Sequence, residues 1–307
     1  MGLNKEFIGR EFEPLEHVVS TDDIIDYAWA IGARNLSYFN YNGAFAYNHE
    51  SVVGMAPPSY AVTYELPILE ELWNNPDLHG GSEQAKQNVL MLVHGDQNMK
   101  FYKPIRPGDK LTYRTKVSAI EDKGSGELLR INVLTTNGNG EKVVESDWGL
   151  FIRGIGSGQK PAKSANGSNG SKPKAPAEPP ELAFRDVIRM PEDITYRYSK
   201  ASNDMNPIHI DPNVAKEAGL SGIIVHGLCT MSMTMRAIIE SYLDSDPARL
   251  KSLGVRFTAP VYPGDVIIVD GWEIEELNGS MVLGFDVTRK SDGVKVIKGG
   301  TAEVSIS

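Results

Sequence analysis

The sequence predicts an α+β protein made of two fused copies of one module, each a buried helix wrapped by an antiparallel sheet. Three observations predict it. A polar low-complexity stretch divides the 307 residues into near-equal halves, an internal repeat relates the halves, and each half runs from a loop into a long apolar helix and then into β-rich segments.

Residues 156–181 read GSGQKPAKSANGSNGSKPKAPAEPPE. Gly, Ser, Asn, Pro, Lys and Ala cannot bury enough area to offset the entropy of ordering them, so this stretch is expected to be a flexible linker. It separates modules at 1–155 and 182–307. The repeat is clearest where Lys100-Phe101-Tyr102-Lys103-Pro104-Ile105-Arg106-Pro107-Gly108-Asp109 aligns with Arg256-Phe257-Thr258-Ala259-Pro260-Val261-Tyr262-Pro263-Gly264-Asp265, with five of ten positions identical. Upstream, Met55 through Glu70 aligns with Val225 through Glu240. The offsets are 156 and 170, and a polar insertion around Asn74 to Lys86 absorbs the difference.

The central helices are expected at Tyr60 to Trp73 and Leu228 to Tyr242. The second is apolar on most sides (Met231, Met233, Met235, Ala237, Ile238), as a core helix must be. Pro57, Pro58 and Pro67 are expected to disrupt the first. Strands follow at 266–274, 281–288, 293–298 and 302–306, bounded by Pro-Gly-Asp and Asn-Gly turns. This plan resembles the hot-dog fold, here as a double hot-dog.

There are 31 Lys and Arg against 40 Asp and Glu, a net charge of −9. That argues against a nucleic-acid protein, which needs a basic face. A single cysteine, Cys229, rules out an intramolecular disulfide and a thiolate zinc cluster. The longest weakly polar stretch, Gly222 to Ile239, is broken by His226, Ser232 and Arg236, so no membrane span is expected. Met1 to Glu16 has no apolar core of a signal peptide, and Val304 to Ser307 is no Ser-Lys-Leu signal. The expected compartment is the cytoplasm.

The chemistry concentrates in the second half. In Ser202-Asn203-Asp204-Met205-Asn206-Pro207-Ile208-His209-Ile210-Asp211-Pro212, Asp211 can N-cap a short helix begun by Pro212 and ended near Gly219. Asp204 and His209 therefore lie in the loop before it, as a carboxylate and an imidazole suited to acid–base work on water. The plainer alternative is a turn with a capping Asp and a solvated His. Two features favour chemistry: the nearby loop Ile224-Val225-His226-Gly227-Leu228, and the Gly227 N–H at a helix start, where it can donate to an oxyanion.

Asp204-x-Asn206-Pro207-x-His209, then Gly222-x-x-Val225-His226-Gly227, then Arg256-Phe257-x-x-Pro260-Val261-x-Pro263-Gly264-Asp265 resemble the MaoC-like group. More narrowly they resemble hydratase 2, the (R)-specific 2-enoyl-CoA hydratases, as in the hydratase unit of peroxisomal multifunctional enzyme type 2. One departure is Asn203, where that family usually has Gly. Asn tolerates positive φ, so the turn can survive. The resemblance implies reversible syn hydration of a trans-2-enoyl-CoA to a (3R)-3-hydroxyacyl-CoA, in fatty-acid or sterol side-chain metabolism. Asp204 would orient and deprotonate water, His209 would transfer the proton, Asn206 would fix the loop or the water, and the Gly227 N–H would stabilise the enolate oxygen. No metal or other cofactor is implied, since CoA arrives with the substrate, and a homodimer is expected.

The first-half counterparts, Pro57 for Gly227 and Gly32 to Phe39 for 202–209, lack N–H, carboxylate and imidazole. That half is expected to be catalytically silent and to line an acyl-chain pocket, with its disrupted helix making room for long or branched chains. Arg256, Lys100 and Lys103 are candidates for CoA phosphates. His226 is expected to be a loop anchor, Cys229 to be packing, and His17, His49, His79 and His94 to be surface or loop residues. The competing activities are a dehydratase acting on acyl-carrier-protein or bulky CoA thioesters, a hot-dog thioesterase, and a non-catalytic acyl-thioester binding subunit.

Overall fold

The computed structural model describes residues 2–39, 54–159 and 180–306. His49 and most of the expected linker lie outside them. The first half contributes β1 (Leu15–Val18), α1 (Thr21–Ala30), α2 (Val62–Trp73), α3 (Pro76–His79), α4 (Ser82–Leu90), β2 (Leu92–Phe101), β3 (Lys110–Asp122), β4 (Gly126–Thr136) and β5 (Lys142–Arg153). The second contributes β6 (Phe184–Arg189), α5 (Ile194–Ser202), α6 (Pro212–Glu217), α7 (Gly227–Tyr242), β7 (Leu250–Arg256), β8 (Val266–Leu277), β9 (Ser280–Arg289) and β10 (Lys295–Ser305). The strands form one sheet in the order β1-β3-β4-β5-β2-β7-β10-β9-β8-β6. Every neighbouring pair is antiparallel. This is the double hot-dog: two five-stranded sheets fused edge to edge, each with its own central helix.

The fusion seam is the repeated segment itself. β2 pairs with β7, and Asn98 lies opposite Gly254. These two positions are 156 residues apart, the offset of the repeat, so the pseudo-twofold axis passes between them. The backbones meet here with little room. A Cβ on Gly254 would sit 2.6 Å from Asn98 Oδ1.

α7 is a helix that can be buried on nearly every side because its hydroxyls turn inward. Thr230, Ser232 and Thr234 donate to the carbonyls four residues back, at 3.3, 2.7 and 2.8 Å. Leu228, Met231, Met235 and Ile238 fill the remaining surface and are all at most 3% exposed. The two halves also share a buried hydroxyl cluster, in which Tyr27 of α1 reaches Ser59 Oγ at 3.1 Å and Ser232 Oγ of α7 at 2.9 Å.

Several local expectations are corrected. α2 is not broken at Pro67, which sits inside a continuous helix. A proline there removes one N–H and leaves the other turns intact. Pro57 and Pro58 do not disrupt the helix either. They open it, with Pro58 beginning a 3-10 turn over Pro58–Ala61 that leads into α2. The two final strand segments are one strand, β10, carrying two register shifts before Gly300.

The repeat registers also move by one residue. Ala56 N–H donates to Ile105 O and Val225 N–H donates to Val261 O, both at 2.8 Å. Pro57 (φ −52°, ψ 140°) then matches His226 (φ −54°, ψ 136°). The residue standing at the place of Gly227 is therefore Pro58, not Pro57. Upstream, Asn35 matches Asn206, each accepting from the N–H two residues on. Gly32 and Asn203 share φ 64°. Ala33 and Tyr38 thus occupy the places of Asp204 and His209.

Candidate active site

α5 ends where Asn203 takes the left-handed conformation, φ 64° and ψ 9°. The turn that the sequence analysis expected to survive with asparagine is formed. Ser202 ties the corner, with its Oγ donating to Tyr198 O at 2.7 Å and accepting from Asp204 N–H at 3.2 Å. Asp204 Oδ1 accepts from Asn206 N–H at 3.2 Å, and Asn206 Oδ1 accepts from Ile208 N–H at 3.3 Å. Pro207–His209 then make a single 3-10 turn, and Asp211 caps α6 by accepting from Asn213 N–H at 2.8 Å. Successive short side chains fold the loop on itself, which is what Asp and Asn do well.

His209 is 7% exposed. Its Nδ1 lies 2.8 Å from Ile224 O. A carbonyl accepts only, so Nδ1 carries the hydrogen and Nε2 is left to exchange a proton. Asp204, His209 and His226 each offer a side-chain atom within 4.8 Å of the other two. His226 stacks on His209, with ring centroids 3.7 Å apart and an interplanar angle of 28°. Its Nε2 lies 3.2 Å from both Asp204 O and Ser199 Oγ, so it clamps the backbone of Asp204. The sequence expected His226 to be a loop anchor, and this is the loop it anchors.

The cluster does not fit a single metal ion. Imidazole lone pairs lie in the ring plane, so two stacked rings present them side by side rather than converging. Each ring has also committed one nitrogen to a carbonyl. What the set can do is move a proton. Burial pushes the Asp204 carboxyl above its ordinary range, against the opposing pull of His209 and the Asn206 N–H. Burial pushes His209 below 6.5, against the opposing effect of Asp204 and Ile224 O. His226 is driven well down, first by burial and then by His209. Carboxyl and imidazole are thereby brought closer in proton affinity than they are in water, which suits a pair that shares one proton.

Asp204, Asn206, His209 and Gly227 all line one cavity of about 420 Å³. Gly227 is the first residue of α7. Its N–H, like the others of a first turn, has no partner within the helix and lies at the positive end of the dipole. The second half supplies the chemistry-bearing wall. The first half supplies the apolar one, with Leu66 and Trp73 of α2, Leu92 and Val93 of β2, and Trp148 and Leu150 of β5.

Comparison with known proteins matches residues 171–294 to the family described as MaoC like domain and residues 6–146 to the FAS1-like dehydratase domain region. The second half thus carries a MaoC-like domain and the first a FAS1-like dehydratase region. The chain is 29% identical over 300 residues to a probable enoyl-CoA hydratase 2 of Dictyostelium discoideum, covering 97% of the chain and 95% of that protein. It is 32% identical over 186 residues to the mouse peroxisomal multifunctional enzyme type 2, covering 61% of the chain but 24% of that much longer protein. Among solved structures, a MaoC-like dehydratase from Phytophthora capsici superposes with a TM-score of 0.74 at 27% identity, covering 98% and 97% of the two chains.

Not every candidate residue meets at the cavity. Arg256 lies on β7 with its side chain exposed, and the cavity is lined by its neighbour Phe257 instead. Alternation along a strand sends the two to opposite faces. Lys100 is exposed on β2, and Lys103 pairs with Glu141 at 2.6 Å. Among the described residues, the guanidinium on the cavity wall is that of Arg153, at the end of β5. Cys229 is buried packing, its thiol pushed up by desolvation. His94 is not a surface residue. It lines the cavity with its ring 5.1 Å from Trp148, stacked, and 5.1 Å from Phe257, edge-on. Burial drives it down to about 4, so it stays neutral. His79 is buried too, held between Trp73 O at 2.6 Å and Asn88 Nδ2 at 3.0 Å. His17 stacks on Tyr64 and reaches Tyr60 OH at 3.1 Å.

The sequence reading missed Glu65, Trp73, Trp148 and Arg153. Glu65 is a fully buried carboxyl on α2 that accepts from Ser146 Oγ and Trp148 Nε1, each at 2.8 Å. A charge in the middle of an otherwise apolar helical face was the available signal. The cavity role of β5 had none, because it follows from which strand edge meets the other half.

Proposed function

We propose that the chain catalyses reversible (R)-specific hydration of a trans-2-enoyl-CoA to a (3R)-3-hydroxyacyl-CoA. The observation that carries this reading is that Asp204, His209 and Gly227, the first residue of α7, line one cavity, with side-chain atoms of Asp204 and His209 within 4.8 Å of each other. Asp204 takes a proton from water, and the water oxygen bonds to C3. The C2–C3 π pair moves toward the thioester oxygen, which the Gly227 N–H receives as it becomes an enolate. His209 delivers a proton to C2, and the pair resets when the proton held by Asp204 passes to His209. Asn206 holds the turn and borders the same water position. His226 keeps the Asp204 backbone in place and faces His209 as a neutral ring. No metal or redox step enters this chemistry.

The first half is silent on this reading. Ala33, Tyr38 and Pro58 stand where the second half has Asp204, His209 and Gly227. Its Leu66, Trp73, Trp148 and His94 wall the acyl chain, and Arg153 meets the CoA phosphates. The same machinery runs as a dehydratase when the hydroxyacyl thioester is supplied, and the likeness to a solved MaoC-like dehydratase favours keeping that direction open. We further propose that the chain acts as a homodimer and, given its single free Cys229, in the reducing cytoplasm. Among the described residues no helix is long and apolar enough to cross a membrane.

The test is loss of enoyl absorbance with short, long and branched trans-2-enoyl-CoAs, with chiral analysis of the product. Formation of the (3R)-hydroxyacyl-CoA supports the reading. Release of free CoA instead would make the chain a thioesterase, and no turnover of any thioester would leave it a binding subunit.

A further inference from the structure

We propose that Asn203 is a positioning residue, through which the silent half holds the catalytic turn in place by way of a carbonyl that Pro67 sets free. The inference rests on the hydratase reading of Asp204 and His209. It begins in α2, where Pro67 has no N–H, so the Thr63 carbonyl four residues earlier lacks its usual helical donor. Thr63 is 5% exposed, and a buried carbonyl without a partner is costly. The donor that approaches it is Asn203 Nδ2, at 3.5 Å, from the other half of the molecule. Asn203 immediately precedes Asp204 and sets the left-handed corner on which the catalytic loop turns.

The pseudo-symmetric position makes the same connection with the donor reversed. Arg236 of α7 corresponds to Pro67 of α2 at the 169-residue offset fixed by Ala56 and Val225. Its guanidinium donates to the carbonyl of Gly32, the counterpart of Asn203. Each central helix therefore braces the corner that follows the first helix of the opposite half. In the silent half the brace holds a turn without chemistry, and a glycine suffices. In the catalytic half the corner residue is itself the donor, which gives a reason for asparagine where glycine would meet the backbone demand more easily. Glu70, one turn beyond Pro67, has its carboxyl pushed up first by burial and then by the charge of Asp204, in keeping with this face of α2 looking onto the catalytic loop.

The test is a double-mutant cycle between Asn203→Gly and Pro67→Ala in the full chain, read by kcat, KM and thermal unfolding. Asn203→Gly keeps the left-handed corner and removes the donor. Pro67→Ala restores an N–H to α2 and gives Thr63 O an alternative partner. Each single variant is expected to lower kcat about tenfold with KM little changed, since a small displacement of a catalytic group costs rate rather than binding. The double variant is expected to be no slower than either single. In unfolding, Asn203→Gly is expected to lower Tm when Pro67 is present and by clearly less in the Pro67→Ala background. Unchanged kcat in both single variants, or strictly additive effects in kcat and Tm, would overturn the brace. If the wild-type chain hydrates no enoyl-CoA, the hydratase reading fails by itself, and the Tm cycle still decides whether residues 67 and 203 are coupled.

Discussion

The two turns that follow α1 and α5 are nearly the same object built for different ends. Both end a helix at a left-handed corner, Gly32 or Asn203, with φ 64°. Both use an asparagine, Asn35 or Asn206, to cap a 3-10 turn two residues on. Both lie beside the start of a central helix entered through a residue of matching conformation, Pro57 at φ −52° or His226 at φ −54°. The backbone framework is therefore independent of the chemistry. Three of the differences between them bear on the chemistry: Ala33 against Asp204, Tyr38 against His209, and Pro58 against Gly227. The lesson is that the fold supplies a corner, and a carboxylate, an imidazole and one exposed N–H turn that corner into a proton-transfer site.

The largest test of this comparison removes the proton-transfer pair. Asp204→Asn or His209→Ala should lower kcat by on the order of 10²–10⁴-fold with substrate binding largely kept. Steady-state hydration kinetics beside a CoA-thioester binding titration check it. A comparable loss in binding would mean that the residues hold substrate rather than act on it.

Next in size is a graft from the silent half. Gly227→Pro imposes on the catalytic helix the residue that the first half already accommodates. His226 has the extended conformation that a following proline requires, so folding should survive. Losing the N–H should cost roughly 10²–10³-fold in kcat. Gly227→Ala is the control, because it keeps the N–H and adds a Cβ 3.4 Å from the Phe257 ring. Alanine should cost far less than proline, and equal losses would point to crowding of the cavity rather than a missing donor.

A smaller effect separates the central helices. Glu65 of α2 corresponds to Thr234 of α7, whose hydroxyl donates within its own helix, to Thr230 O. Burial raises Glu65 to about 8, opposed by the donors Trp148 and Ser146. A carboxyl raised on folding stabilises the fold below its unfolded value near 4.5 and loses that contribution as pH climbs through about 8. Thermal unfolding should therefore show Tm falling across that window, and Glu65→Gln should flatten the fall while keeping partners for Ser146 and Trp148. A wild-type Tm independent of pH between about 5 and 8 would contradict the assignment.

The turn that carries Asp204 and His209 was legible in the sequence because it is local. Asp204, Asn206 and His209 fall within six residues, and their turn is fixed by short-range Asp and Asn bonds that the sequence spells out. The two halves and the identity of the central helices were legible because duplication leaves paired segments. The register of the repeat was not, since one residue of slippage changes no identity in Pro57-Pro58 yet decides which proline stands at the place of Gly227. The cavity walls were not legible either. His94 and Arg153 sit on β2 and β5, and they reach the site only because β2 docks on β7 across the pseudo-dyad. Pro67 read as a break because the donor that compensates it, Asn203, is 136 residues away.

The central claim is tested most directly by incubating the wild-type chain and Asp204→Asn with a trans-2-enoyl-CoA in deuterated water and resolving the product. Wild type should yield the (3R)-3-hydroxyacyl-CoA with deuterium added at C2 on the same face as the new hydroxyl, and the variant should yield almost none. A (3S) product, addition to opposite faces, or undiminished turnover by the variant would contradict the account.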